Sequence, residues 1–201
     1  MAESSGSRPM ADCDYSGNIH SFKPIIDEHS QVLILGSIPG PESLRMHQYY
    51  ANPNNQFWRI IHKVFCVEIT ACSYEEKARF LLDHKIALWD VYHSADRRGA
   101  LDADIKNPEP NDLHGLLQKH PCINRILLAG RTAEKAFRRH FSDIGVDAYY
   151  VPSASSAYAK LSIDKKVNDW KTAIGVLPGI AKMDDAMKVL QNDAVRKDID
   201  E

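Results

Sequence analysis

The sequence predicts an α/β fold, a three-layer α/β/α sandwich around a four-stranded, mainly parallel sheet. Three observations carry that expectation. Short apolar runs recur at about residues 31–36, at Ile86–Tyr92, at Asn124–Ala129 and at Ala148–Val151, each the length of a buried strand. Between them lie segments whose apolar residues repeat at helical spacing. Strands that alternate with helices pair in parallel through right-handed crossovers, which covers both faces of one sheet.

Taken in order, residues 1–21 are rich in Ser, Gly, Pro and Asp without periodicity and read as a disordered leader. After the first strand, Phe57, Ile60, Ile61, Val64 and Phe65 mark a helix over Asn55–Phe65, with Asn54 or Asn55 as its cap. Ala78, Leu81 and Leu82 define a helix over Tyr74–His84. Asp112 opens a short helix to His120, and Thr132–Phe141 and Ile163–Leu177 supply two more. Pro178-Gly179 ends the last of these, and Met183, Met187 and Leu190 allow one further amphipathic helix before an acidic end. The chain therefore divides into a leader (1–21), one domain (22–178) and a tail (179–201), with no internal repeat. The loops that follow the strands, 36–58, 92–104, 130–132 and 151–161, gather at one edge of the sheet, where α/β proteins hold ligands.

Composition narrows the function classes. The chain has 201 residues and 44% hydrophobic content, which suits one globular domain with a substantial core. No apolar run approaches the roughly 20 residues of a membrane helix, and the N-terminus lacks the apolar centre of a secretory signal. Cys13, Cys66, Cys72 and Cys122 are scattered without a CxxC pair, and the nine histidines include no HxH or HxxxH. That argues against a metal or iron–sulfur site and for reduced thiols inside the cell, in cytoplasm or nucleus. The formal net charge of −2 hides a division: residues 1–30 and 183–201 each carry −3, while 31–182 carry +4. A mildly basic middle suffices for local phosphate contact, and ordinary variation in surface charge explains it equally well.

The most specialised segment begins where the first strand ends. Val32-Leu33-Ile34-Leu35 feeds Gly36-Ser37-Ile38-Pro39-Gly40, and then Gln48-Tyr49-Tyr50-Ala51-Asn52-Pro53-Asn54-Asn55-Gln56-Phe57-Trp58 follows. Flat aromatic faces beside amide donors and acceptors suit recognition of a planar heterocycle. The turn lacks the Gly-Lys-Ser/Thr of a nucleotide P-loop.

These residues resemble the uracil-DNA glycosylase superfamily, and most closely its hypoxanthine-DNA (deoxyinosine) glycosylase branch. Gly36 to Gly40, Ser43-Leu44, Gln48 to Ala51, Pro53, Asn55 and Phe57-Trp58 fit that pattern position by position, as do Ile86 to Val91, Arg98-Gly99-Ala100-Leu101-Asp102 and Pro152-Ser153-Ala154-Ser155. The resemblance implies a monofunctional DNA glycosylase without cofactor, working as a monomer on DNA that holds a deaminated base, hypoxanthine first and uracil second. No lysine lies in the aromatic block to form a Schiff base with the sugar. The alternative is a glycosylase-fold protein that binds nucleic acid or a free base without catalysis.

The resemblance also implies roles. In much of the superfamily an Asp or Asn in the first turn orients the attacking water; here that position is Ser37. In the hypoxanthine branch the essential polar residue is the Asn before Phe-Trp, here Asn55, which on local grounds alone is equally a helix cap. Tyr50 falls where a ring stacks on the flipped base; the competing role is core packing, which suits Tyr49 better. Gly36, Ile38, Pro39 and Gly40 line the turn that offers backbone amides to base or phosphate, unless it is a plain strand-to-loop turn. Asn52 and Phe57 complete the pocket, with Phe57 mainly a packing residue. Ser153, Ser155 and Lys160 hold flanking phosphates, or form only a Ser-rich turn. The chain departs from the pattern at Asn52, where the branch has His, and at Ala129, where an Asn is usual.

Overall fold

The computed structural model describes residues 16–175. In chain order the elements are β1 (Ser16–His20), β2 (Val32–Gly36), α1 (Pro41–Met46), α2 (Phe57–Phe65), α3 (Tyr74–Asp83), β3 (Ile86–Asp90) and β4 (Tyr92–Arg98). Then come β5 (Ile105–Pro110), α4 (Leu113–Lys119), β6 (Arg125–Ala129), α5 (Arg131–His140), β7 (Asp147–Val151) and α6 (Ile163–Ile174). Four strands make one parallel sheet in the order β3-β2-β6-β7. It is wholly buried along Val32 to Leu35 and Ile126 to Leu127 of its central strands and along Ile86 to Leu88 of β3. Parallel strands covered on both faces require such continuous apolar runs. The chain moves one way from β2 to β3 and the other way from β3 through β6 to β7. Right-handed crossovers then send α2 and α3 to one face and α4 and α5 to the other, and α6 returns to pack on α2.

The helices start where their chemistry dictates. Ser73 and Glu76 form a reciprocal capping box on α3, Asp112 accepts from the Gly115 amide at 2.9 Å, and Ser162 caps α6 through the Lys165 amide. Within the expected loop 36–58, Gly40 and Pro41 open the short helix α1, with proline at its first turn, where no amide proton is needed.

A second sheet was not foreseen. β1, β4 and β5 pair antiparallel in the order β1-β4-β5. The leader expected through residue 21 is therefore corrected for Ser16–His20, whose backbone groups are satisfied by β4 although their side chains show no strand pattern. The strand expected over Ile86–Tyr92 ends at Asp90; after Val91 the chain leaves the parallel sheet and becomes β4, so most of the loop 92–104 is a strand. Residues 1–15 and the helix expected around Met183, Met187 and Leu190 lie outside the described residues.

Candidate active site

Gly36 is the last residue of β2 and sits in register with Asp90 at the end of β3. A Cβ at Gly36 would lie 2.5 Å from Asp90 Oδ1 and 3.4 Å from the Tyr50 hydroxyl, so only glycine fits between them. Gly40, at the far end of the turn, has open space at that position and an ordinary φ of −73°. Ile38 and Pro39 are buried, and Ile38 belongs to the apolar core. Ser37 stays partly exposed, and its Oγ donates to Asp102 Oδ1 at 3.0 Å.

Tyr50 holds a left-handed φ of 55°, an unusual conformation for a bulky residue. Its ring stacks on Phe57 at 3.9 Å between centroids and 11° between planes. Phe57 is fully buried, wedged edge-on against Trp58 and Trp170. Phe57 therefore has no face left for a substrate: it supports Tyr50, and any stacking on a base falls to Tyr50. Burial, reinforced by the charges of Asp90 and Asp102, holds the Tyr50 phenol above its ordinary value, so it stays a neutral hydrogen-bonding group. Tyr49 is a core residue whose amide accepts no role in the pocket; it donates to the Tyr74 hydroxyl at 3.0 Å.

Asn55 Oδ1 accepts from the Phe57 amide at 2.9 Å, closing a turn just ahead of α2; the helix expected from Asn55 starts at Phe57, and its N-cap is Gln56, without a side-chain cap. That bond also fixes which end of the side chain is which. One lone pair of the carbonyl is spent at the start of α2, and Nδ2 is a pure donor for anything approaching from outside. Asn55 can thus donate to an acceptor on a base or to the oxygen of a water, and it cannot act as a base. Asn52 is exposed and spends its Oδ1 on the Asn54 amide at 2.8 Å, tightening the turn that carries Asn55.

Asp90 escaped the sequence reading as a site residue. It is 5% exposed, accepts from Ser21 Oγ at 2.8 Å and faces Gly36. Burial raises its carboxyl to about 7; Asp102 adds to the rise, while the Ser21 hydroxyl and the Arg97 charge oppose it. Arg97 is itself 3% exposed, and its Nε and Nη2 have no hydrogen-bond partner. The strand end Trp89-Asp90-Val91 gives no hint of this, because Arg97 comes from the unforeseen sheet and Ser21 from just beyond its first strand.

The late loop is pinned from behind. Trp170 Nε1 donates to the Pro152 carbonyl at 2.9 Å, and the Gln56 amide donates to the Ala154 carbonyl at 2.8 Å. Lys166, fully buried, donates to Gln56 Oε1 at 3.0 Å and to the Tyr158 carbonyl at 2.9 Å. Burial lowers its pKa, and both contacts make it a clamp. Ser153 and Ser155 are partly exposed, and their hydroxyls accept from the Ser155 and Ala157 amides, while Lys160 is exposed at the end of the loop. Gly130, at φ 104°, lets this loop approach, since a Cβ there would meet Ser153 Cβ at 3.1 Å. Contacts thus link Asn55, Phe57, Tyr50, Gly36, Asp90, Ser37 and Asp102 into one continuous cluster at the carboxyl edge, with the late loop bound beside it. Among the described residues no cluster of His, Cys, Asp or Glu could hold a metal ion, and no helix is long and apolar enough to cross a membrane.

Comparison with known proteins gives concordant matches. Residues 24–174 match the family described as the Uracil DNA glycosylase superfamily. A protein of Methanosarcina acetivorans named Hypoxanthine DNA glycosylase is 34% identical over 150 residues, covering 75% of this chain and 94% of the relative. A protein of the same name from Methanosarcina barkeri is 32% identical over 152 residues, covering 76% and 95%. A solution NMR structure from Methanosarcina acetivorans, provisionally described as a uracil DNA glycosylase, superposes with a TM-score of 0.71 at 32% identity, over 79% of this chain and 97% of that one.

Proposed function

The chain belongs to the uracil DNA glycosylase superfamily, and from that membership we propose that it removes deaminated bases from DNA, hypoxanthine before uracil. It is a hydrolase of N-glycosyl bonds, and we assign its catalysis to residues 22–178 acting as a monomer inside the cell. The observation that carries the reading is the Asn55–Phe57–Tyr50 unit: a supported aromatic face joined through Phe57 to an amide with a donor end for a ligand.

The chemistry follows from these parts. A duplex hides the glycosidic bond, so the target nucleotide is extruded, and its planar base is held on Tyr50 at the edge of the sheet. Bond breaking leaves positive charge on the sugar and negative charge on the base. Asn55 Nδ2 donates to the leaving base or aligns the water by its oxygen; either interaction strengthens as charge develops. The late loop, with Ser153, Ser155 and Lys160, grips the flanking phosphates. Lys166, the buried lysine closest to the block in the fold, is occupied by Gln56 and Tyr158, which supports water rather than an amine as the nucleophile.

The test is release of free base from duplexes carrying inosine or uracil opposite each normal base. The reading expects hypoxanthine release to be fastest and no strand nicking by the enzyme alone. Tight binding to these duplexes without release of any base would favour the non-catalytic alternative.

A further inference from the structure

We propose that Asp102 is a positioning residue for base excision, holding the Ser37 hydroxyl so that its oxygen faces the attacking water as an acceptor. The proposal rests on the glycosylase reading and adds a carboxylate to it. Ser37 Oγ lies 3.0 Å from Asp102 Oδ1, across 65 residues of chain. A hydroxyl has one proton to donate; with that proton committed to a carboxylate, only lone pairs remain for a third group. A charge-assisted bond of this kind also makes the serine oxygen more electron-rich than a lone serine would be. Ser37 by itself is a poor partner for water, and Asp102 supplies what it lacks.

The local structure is built to deliver that carboxylate. After β4 the chain reverses at Gly99, whose φ of 89° suits glycine, and where a Cβ would sit 3.2 Å from Asp104 Oδ2. A single turn follows, closed by the Asp104 amide on the Leu101 carbonyl at 3.0 Å. Behind it the buried Arg97 guanidinium is attracted to Asp102, Asp104 and Asp90 together. Asp102 itself is exposed, so a ligand can reach it, whereas Asp90 is sealed. Its charge acts on both Tyr50 and Asp90.

The step is a hydrolysis that adds one water across the bond. The C1′–N electron pair leaves with the base, and the water oxygen bonds C1′. One water proton ends on the base through solvent and the other stays on the new sugar hydroxyl. Asp102 and Ser37 are unchanged at the end. During the step the Ser37 oxygen accepts from the water, and the fixed negative charge of Asp102 favours the cationic sugar.

The test is single-turnover release of hypoxanthine from an inosine duplex, with duplex affinity measured in parallel, for the full chain and for Asp102→Asn, Asp102→Glu, Ser37→Ala and the double Ser37→Ala/Asp102→Asn. Asp102→Asn should slow the chemical step by about 10- to 100-fold at unchanged affinity, and Asp102→Glu should recover most of that loss. The double variant should be no slower than the slower single variant, because the two residues act as one unit. Asp102→Asn within about twofold of the parent, a loss confined to affinity, or multiplying single effects would each overturn the proposal. A parent that releases no base from any duplex defeats the glycosylase reading and the proposal together; an active parent with an indifferent Asp102→Asn defeats the proposal alone.

Discussion

The two sheets of this molecule are made of different material, and the candidate site lies along the seam between them. The parallel sheet is dry: its two inner strands, β2 and β6, bury runs of Val, Leu and Ile, and β2 and β3 end abruptly at Gly36 and Asp90. The antiparallel sheet is polar and carries Asp96, Arg97 and Arg98 on β4, with two prolines on its edge strand β5. Beside the first sheet lie Tyr50, stacked on Phe57, and Asn55 just ahead of α2, where the proposed function holds the base. The second brings in the charges, Arg97 within β4 and Asp102 just past its end, and buttresses Asp90 through Ser21 beside β1. Position comes from the dry sheet and electrostatics from the wet one.

Variants on the two sides of the seam should therefore fail differently. The largest effect belongs to the dry side. Tyr50→Ala should weaken lesion-containing duplex by about 10- to 100-fold while leaving undamaged duplex nearly unchanged, since only an extruded base reaches the ring. Tyr50→Phe should be mild. Equal weakening of both duplexes, measured by titration, would reduce Tyr50 to a packing residue.

At the seam itself, Gly36→Ala drives a methyl into Asp90, whereas Gly40→Ala meets nothing. Overpacking on that scale should lower the melting midpoint by about 5 °C for Gly36→Ala and leave Gly40→Ala close to the parent. Matching midpoints for the two would mean that Asp90 moves aside freely and that the seam is looser than described.

Asp90 gives a pH signature. A carboxyl raised on folding from 3.8 to about 7 binds more protons in the folded than in the unfolded chain between those values. Its contribution to stability is therefore full below about pH 4 and is lost as pH rises through about 7. Asp90→Asn, which carries no charge to bury, should melt about 3 °C above the parent at pH 8, with the gap closing toward pH 4. Melting curves that run parallel across this window would show that Asp90 ionises without cost. The smallest effect is expected at the late loop: Lys160→Ala should flatten the salt dependence of duplex binding by about one unit of slope, alike for damaged and undamaged DNA.

The dry sheet was legible in the sequence and the wet one was not, for a physical reason. Val32 to Leu35 and Ile126 to Leu128 can only be buried strands of a covered sheet, and the helices between them announce themselves by spacing and by caps such as Asp112 and Ser162. Ser16–His20 and Ile105–Pro110 bury little, so no hydrophobic period marks them; they are strands because β4 lies between them and satisfies their backbones. β5 tolerates Pro108 and Pro110 because it is an edge strand. The same blindness hid part of the site. Tyr50, Asn55 and Ser37 fall in one short stretch and stand out there as candidates, while Asp102 reaches Ser37 only across 65 residues of chain and Asp90 meets Ser21 only across 69.

Asn55, as proposed, does two jobs with two ends of one amide: the carbonyl closes the turn ahead of α2 and Nδ2 serves the reaction. Asn55→Asp separates them, because aspartate closes such a turn as well but has no donor when ionised. The measurement is single-turnover hypoxanthine release by this variant beside its melting midpoint. The account predicts a midpoint within about 2 °C of the parent and base release slower by about 100-fold. Release at the parent's rate with the midpoint preserved would contradict it, leaving Asn55 a turn residue and nothing more.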